Sequence, residues 1–160
     1  MPLPGEDPAK VPVVAPFAEQ LLLVTGFEQG PVRNVHVEGL HFEHCSWPLP
    51  SGGYAGSQAT AHELRNGSPG QFARLKIPAA IQVAKVEDCS VANCRISPLG
   101  TTGIEFGSRT QRCRLEDCVV EDVAGNGVNL GEGASRRVAG QPWWSAAPQQ
   151  ASSHHVVARN

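Results

Sequence analysis

Between residues 32 and 47 apolar and polar side chains alternate. Val35, Val37 and Phe42 fall on one side, and His36, Glu38, His41 and Glu43 on the other. A period of two marks β-strands with one buried face. The alternation returns inside a repeat. The stretch CSVANCRISPLGTTGIEFGS opens at Cys89, and CRLEDCVVEDVAGNGVNLGE opens at Cys113, 24 residues later. Val91 matches Leu115, Ile96 matches Val120, Ile104 matches Val128 and Phe106 matches Leu130, with Gly103/Gly127 and Gly107/Gly131 between them. Short strands at this period predict a solenoid, in which each repeat buries its apolar face only by stacking on its neighbours. A leucine-rich repeat has a similar period but demands LxxLxLxxN, where these copies carry Cys, Val and a glycine corner.

Degenerate copies extend the pattern at both ends. Residues 40–47 align with 89–96, and residues 155–160 align with 113–118. Each copy is expected to hold three short strands, in the last full one near 113–116, 119–121 and 127–130, with Gly at the bends. The reading is an all-β domain over residues 11–160 of about three coils, after a loose polar arm at residues 1–10. The pattern stops mid-coil at Asn160, so a longer parent is expected, because a stack cut there leaves strand edges open.

The register gives the five cysteines a role. Cys45, Cys94 and Cys118 share one repeat position, and Cys89 and Cys113 another. Equivalent positions on stacked strands lie about 5 Å apart. A ladder of small buried thiols is the expectation. A disulfide between neighbours is sterically possible, whereas CxxxxC is not a usual zinc spacing. Asn160 ends one of these columns and is expected to bond there through its amide. No metal or cofactor is expected.

Two insertions, 48–78 and 134–153, interrupt the spacing. Ile81 and Val83 align with Ile104 and Phe106, so the insertions flank one strand face from opposite borders. Along that face Gln82, Glu105 and Asn129 lie between inward apolar neighbours and point outward. An exposed polar row walled by two long loops predicts a groove. All three Trp and the single Tyr fall at the insertions: Trp47 and Tyr54 at one wall, Trp143 and Trp144 in the other. Their rings suit stacking on sugars. A net charge of −2 gives no footprint for nucleic acid, and no apolar run approaches a membrane span.

Several segments together resemble the right-handed parallel β-helix proteins of the pectate-lyase-like superfamily. More narrowly, they resemble bacterial β-helix glycoside hydrolases of the α-L-fucosidase/xylanase type. The segments are VRNV at residue 32, GLHFEH at 39, GGY at 52, IPAAI at 77, the EDVAGNGV corner at 121 and Gly131-Glu132. The resemblance implies a right-handed parallel β-helix acting on complex polysaccharide by hydrolysis, outside the cell or in the periplasm. The remaining coils of the parent would be its partners. Asn126, on the resembling corner, joins the row as a substrate-binding candidate.

Glycoside hydrolysis needs two carboxylates on one substrate. Asp122 stands at a corner where the other copy has Pro98, so the fold does not demand an acid there. It is expected to act as general acid or nucleophile. Glu132, where the other copy has Ser108, or an acid from missing coils, is expected to assist. Glu121 is second to Asp122 at its corner. Two alternatives stay open. A polysaccharide lyase would use a basic side chain, for which the repeats offer Lys76 and Lys85. A non-catalytic carbohydrate-binding β-helix would use the groove alone.

Overall fold

The computed structural model describes residues 5, 7, 9–10, 13–48, 55–56, 61–65, 72–133 and 135–160, and at 55–56, 61–65 and 72–76 it describes backbone pairing only. The chain is all-β. Four short strands lead: β1 (Leu22–Thr25), β2 (Val32–Arg33), β3 (His36–Glu38) and β4 (His41–Phe42). The first insertion carries β5 (Ala55–Gly56), β6 (Ala61–Arg65) and β7 (Phe72–Lys76), an antiparallel sheet. Then come β8 (Ala79–Ala84), β9 (Val86–Glu87), β10 (Ser90–Ala92) and β11 (Arg95–Ile96), followed by β12 (Thr102–Phe106), β13 (Thr110–Gln111), β14 (Arg114–Glu116), β15 (Val119–Val120) and β16 (Val128–Leu130). The second insertion holds the hairpin β17 (Arg137–Val138) and β18 (Gln141–Pro142), a helical turn α1 (Trp143–Ala146) and a 3-10 turn at Pro148–Gln150. The last strand is β19 (Val156–Ala158).

The strands outside the insertions form stacked parallel sheets, compatible with a β-helix-like fold. Their orders are β1-β8-β12-β16, β19-β14-β10-β3, β15-β11-β4 and β13-β9-β2. The 24-residue repeat is the register of these sheets: Val91 pairs with Leu115, Ile96 with Val120 and Ile104 with Val128. The inward side chains Ile81, Val86, Val91, Ile96, Ile104, Phe106 and Leu115 make one buried core. There are four strands between successive equivalent positions, not three. The extra one is the two-residue pairing of β2, β9 and β13, too short for a hydrophobic period to reveal.

The corners differ from expectation. Most use non-glycine residues in the left-handed region. One column runs Asn34, Asp88, Arg112 and His154, with φ of 57°, 56°, 53° and 59°. A second runs Gly39, Asn93, Asp117 and Arg159, at 71°, 52°, 55° and 56°. Asn and Asp tolerate this region through local side-chain bonding. The Arg residues have partners one turn below, with Arg112 bidentate to Asp88 at 2.7 and 2.9 Å, and Arg159 to Asp117 at 2.6 and 2.8 Å. Glycine is needed for close approach instead. A Cβ on Gly103 would overlap the main-chain oxygen of Gly127, and one on Gly125 would lie 2.5 Å from Thr102 Oγ1.

The first copy is shifted from its expected register. Val37 pairs with Val91, and Phe42 pairs with Ile96. Cys45 therefore lies five residues beyond the column of Cys94 and Cys118, at the corner of Leu99, where its thiol bonds Thr101 Oγ1 at 3.0 Å. The alternation in VHVEGLHF supports two registers, and the one that buries Phe42 against Ile96 prevails. Val35 and Leu40 fill the column positions where later copies have Cys. The other end is as expected. Val156, Val157 and Ala158 pair with Arg114, Leu115 and Glu116.

The five thiols are free and buried. Their columns have a hydrogen-bonding purpose. Cys94 N–H donates to Cys118 Sγ at 3.5 Å, and Cys118 N–H donates to Asn160 Oδ1 at 2.9 Å. In the parallel column Cys113 N–H donates to His155 Nδ1 at 3.3 Å. The side chain at each such position thus serves a buried main-chain donor one turn away.

Gly103→Ala should cost about 2 kcal/mol of unfolding free energy, because backbone must move to admit the methyl group. Gly30→Ala, with open space around its Cβ position, should stay within about 0.5 kcal/mol. Denaturant melts of both variants check the pair; equal stabilities would contradict the close packing of Gly103 on Gly127.

Candidate functional site

The outward row exists in the expected register. Leu23, Gln82, Glu105 and Asn129 are direct neighbours across β1, β8, β12 and β16. The three polar members are half-buried rather than exposed, while Leu23 is exposed. Gln20 Nε2 donates to Gln82 Oε1 at 2.6 Å, and Asn126 Nδ2 donates to Asn129 Oδ1 at 2.8 Å. Asn129 Nδ2 is buried and has no partner among the described residues. Because the sheet is parallel, the first insertion enters at the N-terminal border of its strands and the second leaves from the C-terminal border. At that second border lies a cavity of about 280 Å³ lined by Glu105, Ser108, Asn129, Leu130 and Glu132, with Gly131 and Gly133.

The two predicted catalytic acids are not together. Asp122 precedes β16 and lines a separate cavity of about 270 Å³ with Val14, Pro16, His44, Ser46 and Pro98. Glu132 follows β16. The intervening strand path, as long as Thr102–Phe106 in its neighbour, sets the two corners about 13 Å or more apart. That exceeds the roughly 6.5–9.5 Å of even an inverting pair. Asp122 is exposed, at φ 48°, and no ion pair or hydrogen bond engages its carboxylate among the described residues. Glu121 pairs with Arg95.

Glu132 is engaged on both oxygens. Oε1 accepts from Arg136 Nε at 2.8 Å, and Oε2 accepts from the main-chain N–H of Arg109 and of Ser152, each at 3.0 Å. Arg136 continues to Glu28 Oε2 at 3.1 Å, and Lys85 Nζ lies 3.5 Å from Glu28 Oε1. The Arg136 and Glu132 side chains are only 6% and 8% exposed. This network fastens the second insertion to the stack. A carboxylate with its lone pairs so committed is a structural anchor rather than a proton carrier.

None of the described aromatic candidates, Trp47, Trp143 and Trp144, lines the 280 Å³ cavity. Trp143 is half-buried beneath the Arg136 guanidinium, whose carbon is 5.7 Å from the ring centroid. Trp144 is 51% exposed and lies 6.0 Å from the Arg137 guanidinium carbon. Trp47 is half-buried just before the first insertion. Tyr54 lies outside the described residues.

A second polar cluster escaped the sequence reading. His155 Nε2 is 3.0 Å from Ser152 Oγ and 3.2 Å from Thr110 Oγ1, and its ring stacks on Phe106 with centroids 5.7 Å apart. The distance suits a nucleophile and its base, but the proton arrangement does not. Cys113 N–H donates to Nδ1, so Nε2 carries the hydrogen and donates. The chain runs on from Ser152 to Thr110 at 2.7 Å and from Thr110 to the Gly107 carbonyl at 2.8 Å. A donating Nε2 cannot take the Ser152 proton. The signal available was a His in the column of Cys89 and Cys113.

The thiols are equally unsuited to nucleophilic work. Burial raises Cys45, Cys89 and Cys118 above the ordinary thiol value and pushes Cys113 up to about 11. No group of three or more His, Cys, Asp or Glu among the described residues could hold a metal ion. No family model matches the chain, nor does any curated protein or solved structure.

Glu132→Gln and Arg136→Ala should each cost about 3 kcal/mol, because each strands a buried partner. The double variant should cost less than the sum of the two. Melts of the three proteins test this, and single-variant losses under about 0.5 kcal/mol would show the anchor to be idle.

Proposed function

We propose that this chain is part of a right-handed parallel β-helix of the pectate-lyase-like kind and that it binds a polysaccharide across the outward face of the sheet β1-β8-β12-β16. The carrying observation is the row Gln82, Glu105 and Asn129 running into the 280 Å³ cavity at the C-terminal border. Amides and a carboxylate spaced by the roughly 4.8 Å strand repeat offer periodic donors and acceptors to an extended chain of hydroxyl-bearing rings. The buried Nδ2 of Asn129, without a partner among the described residues, offers a donor to a hydroxyl of such a chain. Glu105 and Asn129 contact the sugar in this reading, with Gln82 and Asn126 orienting the row through their own bonds.

Hydrolysis in the parent protein is the second reading, favoured by Asp122. Its uncommitted carboxylate lines an open cavity beside His44 and Ser46. Glu132 does not assist it in this version; the partner acid comes from elsewhere in the parent. For the lyase alternative, Lys85 faces Glu28 at 3.5 Å, and the Lys76 side chain lies outside the described residues.

Affinity electrophoresis against xylan, fucose-containing polysaccharide and polygalacturonate tests binding. Glu105→Ala and Asn129→Ala should each weaken the bound glycan about tenfold, or about 1.4 kcal/mol, and Asp122→Asn should leave retention unchanged. Retention of no polysaccharide by the wild-type chain would end the reading. For hydrolysis, reducing-sugar release by the parent should fall at least about a hundredfold in Asp122→Asn. A near wild-type kcat would make Asp122 a turn residue only.

A further inference from the structure

We propose that His155 is a proton-operated latch: its neutral ring holds the junction at Ser152 and Ser153 on the stack, and its protonated ring releases it. The inference stands apart from the glycan reading and rests on where His155 sits. It follows directly on the second insertion, at the point where the chain rejoins the parallel sheets, with Ser153 bridging to Gln111 and β19 beginning one residue later. Ser153 N–H donates to the Thr110 carbonyl at 2.9 Å, and Arg112 N–H to the Ser153 carbonyl at 3.0 Å. The ring closes this junction by accepting from Cys113 N–H at Nδ1 and donating at Nε2 into the Ser152–Thr110–Gly107 chain.

Only the neutral imidazole can make that set. A proton on Nδ1 faces the Cys113 N–H donor at 3.3 Å, so two donors oppose each other in a half-buried site against the Phe106 ring. Cys113 is fully buried, and its amide is left without an acceptor. The release is transmitted through Ser152, whose N–H holds Glu132 Oε2, the same oxygen that anchors Arg109 N–H. Glu132 lines the 280 Å³ cavity, so the cavity wall loosens with the junction.

Among the described residues, the groups packed around the ring come from β12, from β13 and its flanks, and from the second insertion. From β13 and its flanks come Thr110, the buried Arg109 bonded to the Phe27 carbonyl, and Arg112 paired outward with Asp88. The Cys113 thiol, raised by burial to about 11, stays protonated throughout. β12 contributes the uncharged Phe106. The insertion contributes Ser152 and, beyond it, Glu132 with Arg136. His154, beside it in sequence, bonds Ser153 Oγ on the exposed side. Burial holds His155 below the ordinary histidine value. The folded state then binds fewer protons than the unfolded state, so the latch is closed above the ordinary histidine pKa and opens as pH falls below that value and through the lowered folded one.

Amide hydrogen exchange on the whole chain, read by NMR at about pH 7.5 and about pH 5 relative to intrinsic rates, tests the latch. Protection of Cys113, Ser152 and Ser153 should drop about tenfold or more at the acid condition while Ile104 holds. His155→Asn retains an acceptor at every pH, as Asn160 does for Cys118, and should abolish the step. Equal Cys113 protection at the two conditions, or an undiminished step in the variant, overturns the proposal. Should the variant not fold, the ring nitrogen shifts of the wild-type protein decide: a hydrogen on Nδ1 at the higher pH overturns the latch, and a bare Nδ1 supports it.

Discussion

Parallel stacking leaves main-chain donors at the corners, where the chain turns away from its sheet, and the rest of this structure depends on how they are served. A corner amide cannot join the ladder on both sides, and inside the stack no water is available to it. Here the acceptor is a side chain from the next turn of the chain: Cys118 Sγ for Cys94, Asn160 Oδ1 for Cys118 and His155 Nδ1 for Cys113. The three residues look unrelated in sequence, but each is small enough for its slot and carries a lone pair at the right height. A thiol does this weakly and burial keeps it protonated. An amide does it better, and an imidazole does it only while neutral. Ordinary cysteine columns and a pH-dependent junction are therefore one structural solution with different side chains.

The same economy governs the acids. Most of the carboxylates that the repeat presents are drawn into columns of charge along the corners, such as Asp88 with Arg112 and Asp117 with Arg159. Such exposed pairs contribute little stability individually. They hold arginines in left-handed conformations that those residues rarely adopt, and so they keep the corners in register. Glu132 is the buried version, joined to Arg136 and to two main-chain donors. The half-buried row of Gln82, Glu105 and Asn129 runs across β8, β12 and β16, and the exposed Asp122 precedes β16, so the geometry keeps the row apart from Asp122.

Much of this was legible in the chain, and the failures have particular causes. The pairing of Ile81 with Ile104, the row through Gln82, Glu105 and Asn129, and the closing alignment of 155–160 on 113–118 follow from apolar identity at fixed spacing, which a parallel register preserves. The first copy misleads because Val37 and Phe42 can each stand opposite Val91, and the sequence holds no record of which volume the core at Ile96 requires. Two-residue strands such as Val32–Arg33 carry no period at all. Glycine was expected at corners that Asn, Asp, Arg and His occupy, because their partners lie 24 or more residues away. The separation of Asp122 from Glu132 is likewise a length of strand, invisible to a comparison that finds each at a corner.

Around the cavity, directional bonds add to the apolar contacts of the stack. Glu132 accepts from Arg136, Ser152 N–H donates to Glu132, and Cys113 N–H donates to His155. Directional bonds fix atoms more sharply than apolar contact does, and they also fail at a defined protonation state. A cavity held in this way is ordered under one set of conditions and released under another, which a cavity cut into the fully buried core at Ile81 and Ile104 could not be.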